Sequence, residues 1–249
     1  MTEPLTYVQV ESFFVDYGRQ RVALDADGEL MADWTVLRCL SGELTLRGAT
    51  YLIDAGDLFE IAGVYIRDLD AHVDGVRESE LVLPSSGSDE TEGAYNARAA
   101  ASSDKYLLLD KKTVRIARHP TPIEICDILT EDRRFVHVKR KLGSSSLSHL
   151  FVQGVVSADL FLMSAEYRDR VQKGIRKAEP FRGRFSSFDV KGINPGEYEV
   201  VYGVIAKWDG RSLVQALPFF SKVNFRRQAE QLRRMGYGVK YKRTKVSAG

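Results

Sequence analysis

The sequence has little cysteine and no long hydrophobic run. It contains 2 cysteines in 249 residues, and each lies inside an apolar, strand-like stretch. We therefore expect Cys39 and Cys126 to be reduced, buried thiols, and their number excludes a zinc spacing built on them. No segment approaches the roughly 18 consecutive apolar residues of a membrane span. The start, MTEPLTYVQVE, lacks a basic region followed by an apolar stretch, so we expect a cytoplasmic protein without membrane contact.

The net charge is also small. Lysine and arginine number 36 against 34 acidic residues, a formal net charge of +2 at pH 7, and this balance by itself indicates no partner. The composition is that of an ordinary globular protein, and a chain of this length buries roughly three quarters of its unfolded surface. No glycine-rich loop of the G-x-x-x-x-G-K-[ST] kind is present, so an enzyme acting on a nucleotide or small phosphate ester has no motif in its support.

A polar linker separates two regions of different pattern. Residues 1–83 alternate apolar runs such as TYVQVESFFV and TYLI with turn signals, which predicts a small β-rich accessory module, with a helical stretch near residues 62–76. The stretch LPSSGSDET is rich in proline, serine, glycine and acids, and we place the domain boundary there. Residues 84–249 then follow the order helix, three strands, helix, strand, helix, which predicts an α/β (α+β) domain with a mixed central sheet flanked by helices.

An acid stands in the middle of an apolar strand in IEICDIL, and the next strand, RRFVHVKRK, carries a histidine and a lysine. Alternate residues of a strand share a face. If the connecting loop has an odd number of residues, such as residues 131–133, Asp127 pairs with His137, and Lys139 lies one pleat further on that face. An even loop would separate these groups and give the role of Asp127 to Glu124. We expect the odd loop, because an acid flanked by apolar residues is costly to bury without a cationic or metal partner.

A carboxylate, a second ligand and a lysine two residues beyond it are the working parts of a metal-dependent phosphodiesterase. The carboxylate holds Mg²⁺, and the metal polarises the phosphate and lowers the pKa of a bound water. The ammonium positions the nucleophile and offsets developing charge. Such sites usually take another acid from a preceding helix, and Glu92, at the start of the alanine-rich stretch EGAYNARAAA, is the candidate.

The order Glu92, Asp127, then His137-Val138-Lys139 resembles the restriction-endonuclease-like PD-(D/E)xK nuclease core. The resemblance implies metal ligation by Asp127, Glu92 and the residue at position 137, catalysis assisted by Lys139, and a supporting role for Gln153 on the following helix. Histidine replaces the usual acid at position 137. Because imidazole is a poor ligand for Mg²⁺ and a fair one for Mn²⁺, the expected cofactor is Mg²⁺ or Mn²⁺, and a site that binds without cutting stays open.

Five phrases of the chain carry a second resemblance: EGAYN, PIEICDIL, FVHVKRK, SSSLSHLFVQGVVSA and LPFFSKVNFR. They are similar to a sporadically distributed bacterial family, domain of unknown function 6119. The similarity covers nearly the whole chain from Trp34 onward. It implies an association with mobile elements or phage defence, and it brings no established chemistry.

Basic residues are clustered in the predicted hairpin and in the C-terminal helix and strand, although the net charge of the chain is small. In the C-terminal cluster Glu230 is the only acid nearby in sequence. Such clusters suit a phosphate backbone. We therefore expect nucleic acid, DNA or RNA, as the partner, with a second copy of the chain or a defence protein as a further partner. The candidate contacts are Arg133, Arg134, Arg140, Lys141, Lys222, Arg226, Arg227, Arg233 and Arg234.

Each candidate also has a structural interpretation. Asp127 would form an ordinary ion pair with Lys139 or Arg140, and Glu92 would complement the dipole of its helix. The clustered basic residues would form a solvent-exposed surface without a nucleic-acid partner. On that interpretation the protein is a catalytically inactive component that binds nucleic acid or protein. The sequence hypothesis is a metal-dependent nuclease, and this inactive component is its alternative.

Overall fold

A computed structural model of the chain describes residues 40–247, apart from 55–56, 117–118, 142–143, 179–183, 186–187 and 189–191. The predicted strand TYVQVESFFV and Cys39 lie outside the described residues. The contacts divide the chain into two units, Met1–Asp68 and Leu69–Gly249. The predicted linker LPSSGSDET lies within the second unit.

The described part of the first unit is an antiparallel meander of three strands, β1 (Ser41–Leu46), β2 (Ala49–Asp54) and β3 (Asp57–Ile61). Arg47 and Gly48 join β1 to β2, and both have positive φ angles, 49° and 81°. Two left-handed residues in a two-residue loop match the right-handed twist of the flanking strands. Helix α1 (Gly63–Asp74) follows, at the helical stretch predicted near residues 62–76.

The second unit contains mixed strands and helices. Its helices are α2 (Glu92–Ala101), α3 (Ser144–Met163), α4 (Ala165–Ala178), α5 (Leu213–Ala216) and α6 (Phe219–Arg234). Its strands are β4 (Tyr106–Leu108), β5 (Thr113–Ile116), β6 (His119–Glu124), β7 (Ile128–Thr130), β8 (Arg134–Arg140), β9 (Glu199–Ala206) and β10 (Gly238–Lys245). A short 3-10 helix, Pro195–Glu197, precedes β9.

The central sheet of the second unit has the strand order β10-β9-β8-β7-β4. Strands β8, β9 and β10 run parallel, whereas β7 is antiparallel to both β8 and β4. Apolar side chains pack on both faces of the sheet: Phe135 and Tyr202 lie in one core cluster, and Val136, Val138 and Tyr95 lie in the other. A mixed sheet between helices places the protein in the α+β class, as predicted.

The β7–β8 hairpin has an odd loop, as predicted. Ile128 pairs with Val136 and Leu129 with Phe135, so residues 131–133 form the loop between the two strands. Arg133 takes a left-handed conformation, φ 64°, which lets a three-residue loop close. The same register, extended by one residue, sets Asp127 opposite His137.

Helix α3 packs closely against the sheet at Gly154. A Cβ added there would lie 2.7 Å from the hydroxyl oxygen of Tyr202, whose hydroxyl donates to the carbonyl of Phe151 at 2.9 Å. Residues 146–163 of this helix are long and apolar enough to cross a membrane by length and composition alone, with a mean hydropathy of 1.3, yet half of this stretch is buried inside the fold. We interpret α3 as the core helix of the second unit.

Candidate functional site

The candidate site lies where strand β8 has an open edge. The pairing of β7 with β8 goes no further than Ile128 opposite Val136, so the backbone N–H groups of Val138 and Arg140 lack a β7 partner. Two carboxylates take them instead. Val138 N–H donates to Asp127 Oδ2 at 2.6 Å, and Arg140 N–H donates to Glu92 Oε1 at 3.3 Å. The open edge thus brings together acids that are 35 positions apart in the sequence.

Asp127 is nearly buried, with 6% of its surface exposed. Its other oxygen, Oδ1, accepts a hydrogen bond from the amide nitrogen of Asn96 on α2 at 3.2 Å. Burial raises the pKa of Asp127 to about 7, the bond from Val138 opposes this, and the negative charges of Glu124 and Asp110 raise it further. The raised pKa of Asp127 therefore reflects its burial first and the neighbouring acids second.

Two further acids surround Asp127 on the β4–β7 side. The backbone N–H of Leu109 donates to the carbonyl of Asp127 at 2.8 Å, so Asp110 follows a residue that is paired with Asp127. Glu124 accepts hydrogen bonds with both oxygens, from the backbone of Lys111 and from the amide of Gln153, each at 2.7 Å. Gln153 is therefore placed beside the acidic cluster, and its contact is Glu124.

Lys139 projects from the end of β8 and pairs with Glu92 on α2, with its Nζ 2.8 Å from Glu92 Oε2. The two side chains are 35% and 30% exposed, so solvent reaches this ion pair. Glu92 is the first residue of α2, whose Thr91 side chain caps the helix by accepting from Ala94 N–H. The helix start thus holds Glu92 over the open edge of β8.

His137 is not among the groups that meet at this edge. Its ring is fully buried on the opposite side of the strand from Val136 and Val138, 3.4 Å from the hydroxyl of Ser157 on α3 and close to the ring of Tyr202. Nδ1 has no hydrogen-bond partner among the residues that the structure describes, and burial lowers the pKa of His137 to about 3. The register sets its backbone opposite Asp127, but the imidazole points into the hydrophobic core, so its predicted role as a metal ligand gains no support here.

A groove of about 530 Å³ opens beside Glu124 and Gln153. Its lining residues belong to β5, β6 and α3, and they are Thr113, Pro122, Ile123, Glu124, His149, Val152, Gln153 and Val156. Half of them are polar, so the groove offers both hydrogen-bonding and apolar contacts beside Glu124.

The basic residues that the sequence singles out are largely engaged with nearby acids. Among the hairpin residues, Arg133 pairs with Glu197, Arg134 pairs with Asp132 and Glu199, and Arg140 donates to Ser86 and two carbonyls. The backbone N–H of Lys141 donates to Ile205.

On α6, Lys222 pairs with Asp70, and Arg226 and Arg234 both pair with Glu230. Arg227 and Arg233 are exposed on α6 and form no ion pair within the part of the chain that the structure describes. The acids that offset these clusters come from distant parts of the sequence as well as from Glu230.

Within the described residues, no group of three or more histidine, cysteine, aspartate or glutamate side chains is arranged to hold a metal ion. The acids at the site fall into smaller sets. Glu92 and Glu124 each use both oxygens on N–H or ammonium donors. Asp127 likewise accepts a hydrogen bond with each oxygen, while Oδ2 of Asp110 lies against the start of α2 at Gly93.

Two residues at the site escaped the sequence analysis. Asn96 lies four positions after Glu92 on α2, so it shares a helix face with it, and that spacing was a usable signal. Asp110 ends the run YLLLD and precedes two lysines. No local pattern distinguishes it from an ordinary turn acid, because its approach to Asp127 arises only when β4 and β7 pair.

The fold and site define an α+β protein with a mixed five-stranded sheet and a cluster of acids and one lysine at an open strand edge. The chain belongs to a family of unknown function (DUF6119), whose model matches residues 11–245. Neither a curated protein nor a solved structure matches the chain.

Proposed function

We propose that the protein is a metal-dependent nuclease that hydrolyses phosphodiester bonds in DNA or RNA. One observation carries the proposal: Glu92, Asp127 and Lys139 come from three separate elements and meet at the open edge of β8. A mixed sheet flanked by helices is compatible with the restriction-endonuclease-like core that the sequence resembles. Asp127 is the central metal ligand of the proposal, and Mg²⁺ or Mn²⁺ is the cofactor.

Asp127 would hold the cation, which would polarise the phosphate and lower the pKa of a bound water. Glu92 holds Lys139 by an ion pair that solvent reaches, so the ammonium is available to a phosphate oxygen and offsets negative charge as it develops. In the reaction the oxygen of one water forms a new bond to phosphorus while the bond to one sugar oxygen breaks. One proton of that water ends on the departing sugar hydroxyl, and the other is released to solvent.

The substrate class follows from charge. Arg227 and Arg233 are exposed on α6 without an acid partner among the described residues, and they are the cations best placed to contact a phosphate backbone. We propose that the protein acts in the cytoplasm, in phage defence or a mobile element, as the sequence resemblance implies. A second copy of the chain or a defence protein remains a proposed partner.

A second candidate is a nucleic-acid-binding or protein-binding component without catalysis. One observation favours it: Asp127 is nearly buried, and each of its oxygens already accepts a hydrogen bond. On this view the acid is a structural cap on the β8 edge. The two candidates differ in whether cleavage occurs.

The test is to incubate the protein with plasmid DNA, single-stranded DNA and RNA in Mg²⁺ or Mn²⁺, with and without a chelator. Asp127→Asn and Lys139→Met keep the shapes of the side chains and remove their charges. Lys173→Met is the matched control, because Lys173 forms an exposed ion pair with Asp169 on α4, away from the site.

We expect metal-dependent cleavage that Asp127→Asn and Lys139→Met reduce at least about a hundredfold and Lys173→Met leaves unchanged. Binding that weakens with salt, with no cleavage of any polymer in either metal, would show the second candidate to be correct. Cleavage that survives both substitutions would refute the assignment of the site.

A further inference from the structure

Asp110 and Asp127 present a physical problem that the hydrogen bonds of the site do not solve. The backbone N–H of Leu109 donates to the carbonyl of Asp127 at 2.8 Å, so Asp110 follows a residue that is paired with Asp127. Both carboxyl groups lie against the start of α2, Asp110 at Gly93 and Asp127 at Asn96. Ionised carboxylates only accept hydrogen bonds, and a cation stabilises two that lie side by side. Glu92, Glu124 and Asp127 each accept hydrogen bonds with both oxygens, so Asp110 is the acid of the cluster whose charge no hydrogen bond from the described residues offsets.

Asn96 supplies an independent observation. It is 1% exposed, and its amide nitrogen donates to Asp127 Oδ1, which orients the carboxamide toward the acid pair. Its oxygen, Oδ1, is buried and has no hydrogen-bond partner among the described residues. A buried amide oxygen without a donor is costly, and a carboxamide oxygen is the hard ligand type that Mg²⁺ and Mn²⁺ prefer.

Gly93 lets the helix approach this pair. A Cβ at position 93 would lie 3.3 Å from Asp110 Oδ2, which is closer than an ordinary contact. Gly93 and Asn96 are three positions apart on α2 and therefore share a face. The start of the helix thus sets the backbone of Gly93 against Asp110 and the carboxamide of Asn96 against Asp127.

We infer that Asp110 and Asn96 complete, with Asp127, a binding site for a divalent cation, Mg²⁺ or Mn²⁺. The site has two carboxylates and one amide oxygen, which suits an ion that keeps several water ligands and leaves room for a substrate phosphate. Only two of these three ligands are acids, so the site differs from a group of three or more acids, histidines or cysteines, which the described residues do not contain. The inference rests on the proposed function for the role of the cation, whereas its test needs no nucleic acid.

The test measures Mn²⁺ binding to the full chain by electron paramagnetic resonance, together with the thermal unfolding midpoint in Mg²⁺, Mn²⁺ and chelator. Asp110→Asn removes one carboxylate at constant shape. Asn96→Asp adds a carboxylate oxygen at the same place. Asp89→Asn is the control, because Asp89 is an exposed acid just before α2 and lies outside the proposed ligand set.

We expect Asp110→Asn to weaken Mn²⁺ binding at least about tenfold and to abolish the rise in unfolding temperature caused by the metal. Asn96→Asp should tighten binding, and Asp89→Asn should match the wild type. Circular dichroism and unfolding in chelator show whether each variant is folded, so lost binding is read only from folded protein.

Two results would overturn the inference: no binding of Mn²⁺ by the wild type at millimolar concentration, or the same affinity in Asp110→Asn as in the wild type. If Asp110→Asn binds Mn²⁺ like the wild type and still cleaves nucleic acid, the nuclease proposal stands and only Asp110 and Asn96 are removed from it. Conversely, Mn²⁺ binding that depends on Asp110, without cleavage of any nucleic acid, supports this inference and refutes the proposed function.

Discussion

The burial of His137 makes the stability of the protein depend on pH in a way that one substitution tests. The imidazole is fully buried against Ser157 and Tyr202. Replacing it in the variant His137→Leu removes the titrating group and leaves an apolar side chain in an apolar core. Because no group in the described part of the chain forms a hydrogen bond with Nδ1, we expect little loss of stability near pH 7.

The size of the effect follows from the two pKa values. Burial lowers the pKa of His137 to about 3 from an ordinary value of 6.5. Between these values the unfolded chain binds a proton that the folded chain does not. The contribution of His137 to stability is therefore fully present above pH 6.5 and is lost as the pH falls toward 3, at about 1.4 kcal/mol per pH unit. From pH 7 to pH 5 the loss is about 2 kcal/mol.

The assay is urea unfolding followed by circular dichroism at several pH values from 5 to 7.5. Other groups titrate in this range, so the informative quantity is the difference in unfolding free energy between the wild type and His137→Leu. We expect this difference to shift by about 2 kcal/mol in favour of the variant between pH 7 and pH 5. Ser157→Ala is the control, because it removes the contacting hydroxyl and retains the imidazole, so its pH dependence should follow the wild type.

A difference that is constant with pH would refute the buried position of the ring. A metal role for His137, as the sequence resemblance implies, predicts another result: His137→Leu would then weaken Mn²⁺ binding. On the structure described here, Mn²⁺ binding by His137→Leu should equal that of the wild type.

Two further substitutions test the fold and the site. Gly154→Ala should lower the free energy of unfolding, measured in urea, by about 1 to 3 kcal/mol, because the new Cβ would lie 2.7 Å from Tyr202. The control Gly174→Ala, on α4 with nothing within 4 Å, should instead raise the free energy of unfolding by roughly 0.5 to 1 kcal/mol. Equal effects of the two substitutions would contradict the close packing at Gly154. Glu92→Gln should cost less than about 1 kcal/mol, since its pair with Lys139 is partly exposed, yet reduce metal-dependent cleavage at least about tenfold. Cleavage at the wild-type rate would show that Glu92 does not position Lys139.

Local patterns in the sequence predicted much of the second unit. The alanine-rich run gave α2, RRFVHVKRK gave β8, and the cost of burying Asp127 favoured the odd loop that the register shows. These features depend on residues close together in the chain, where periodicity and turn chemistry act directly. The prediction of IEICDIL as one strand was wrong, because this stretch is divided between β6 and β7, and Asp127 lies just before β7.

The face of each side chain at the site was harder to predict. Strand alternation grouped His137 with Lys139, and both do leave β8 on the same side. Lys139 is at the end of the strand, however, where its long side chain turns around the open edge to Glu92, whereas the shorter His137 stays under α3. Alternation gives the direction of a side chain, but neighbouring elements decide whether it reaches solvent.

The sequence by itself determined the α+β class, the hairpin with its odd loop, and the family to which the chain belongs. Only the tertiary structure decided that β7 ends early enough to leave the β8 edge open, that Asp110 comes to lie beside Asp127, and that several basic residues, among them Arg133, Lys222 and Arg243, pair with acids distant in sequence. The physical reason is that hydrogen-bond satisfaction and charge pairing act between groups close in space, and nearness in space between distant segments is set by sheet pairing and helix packing.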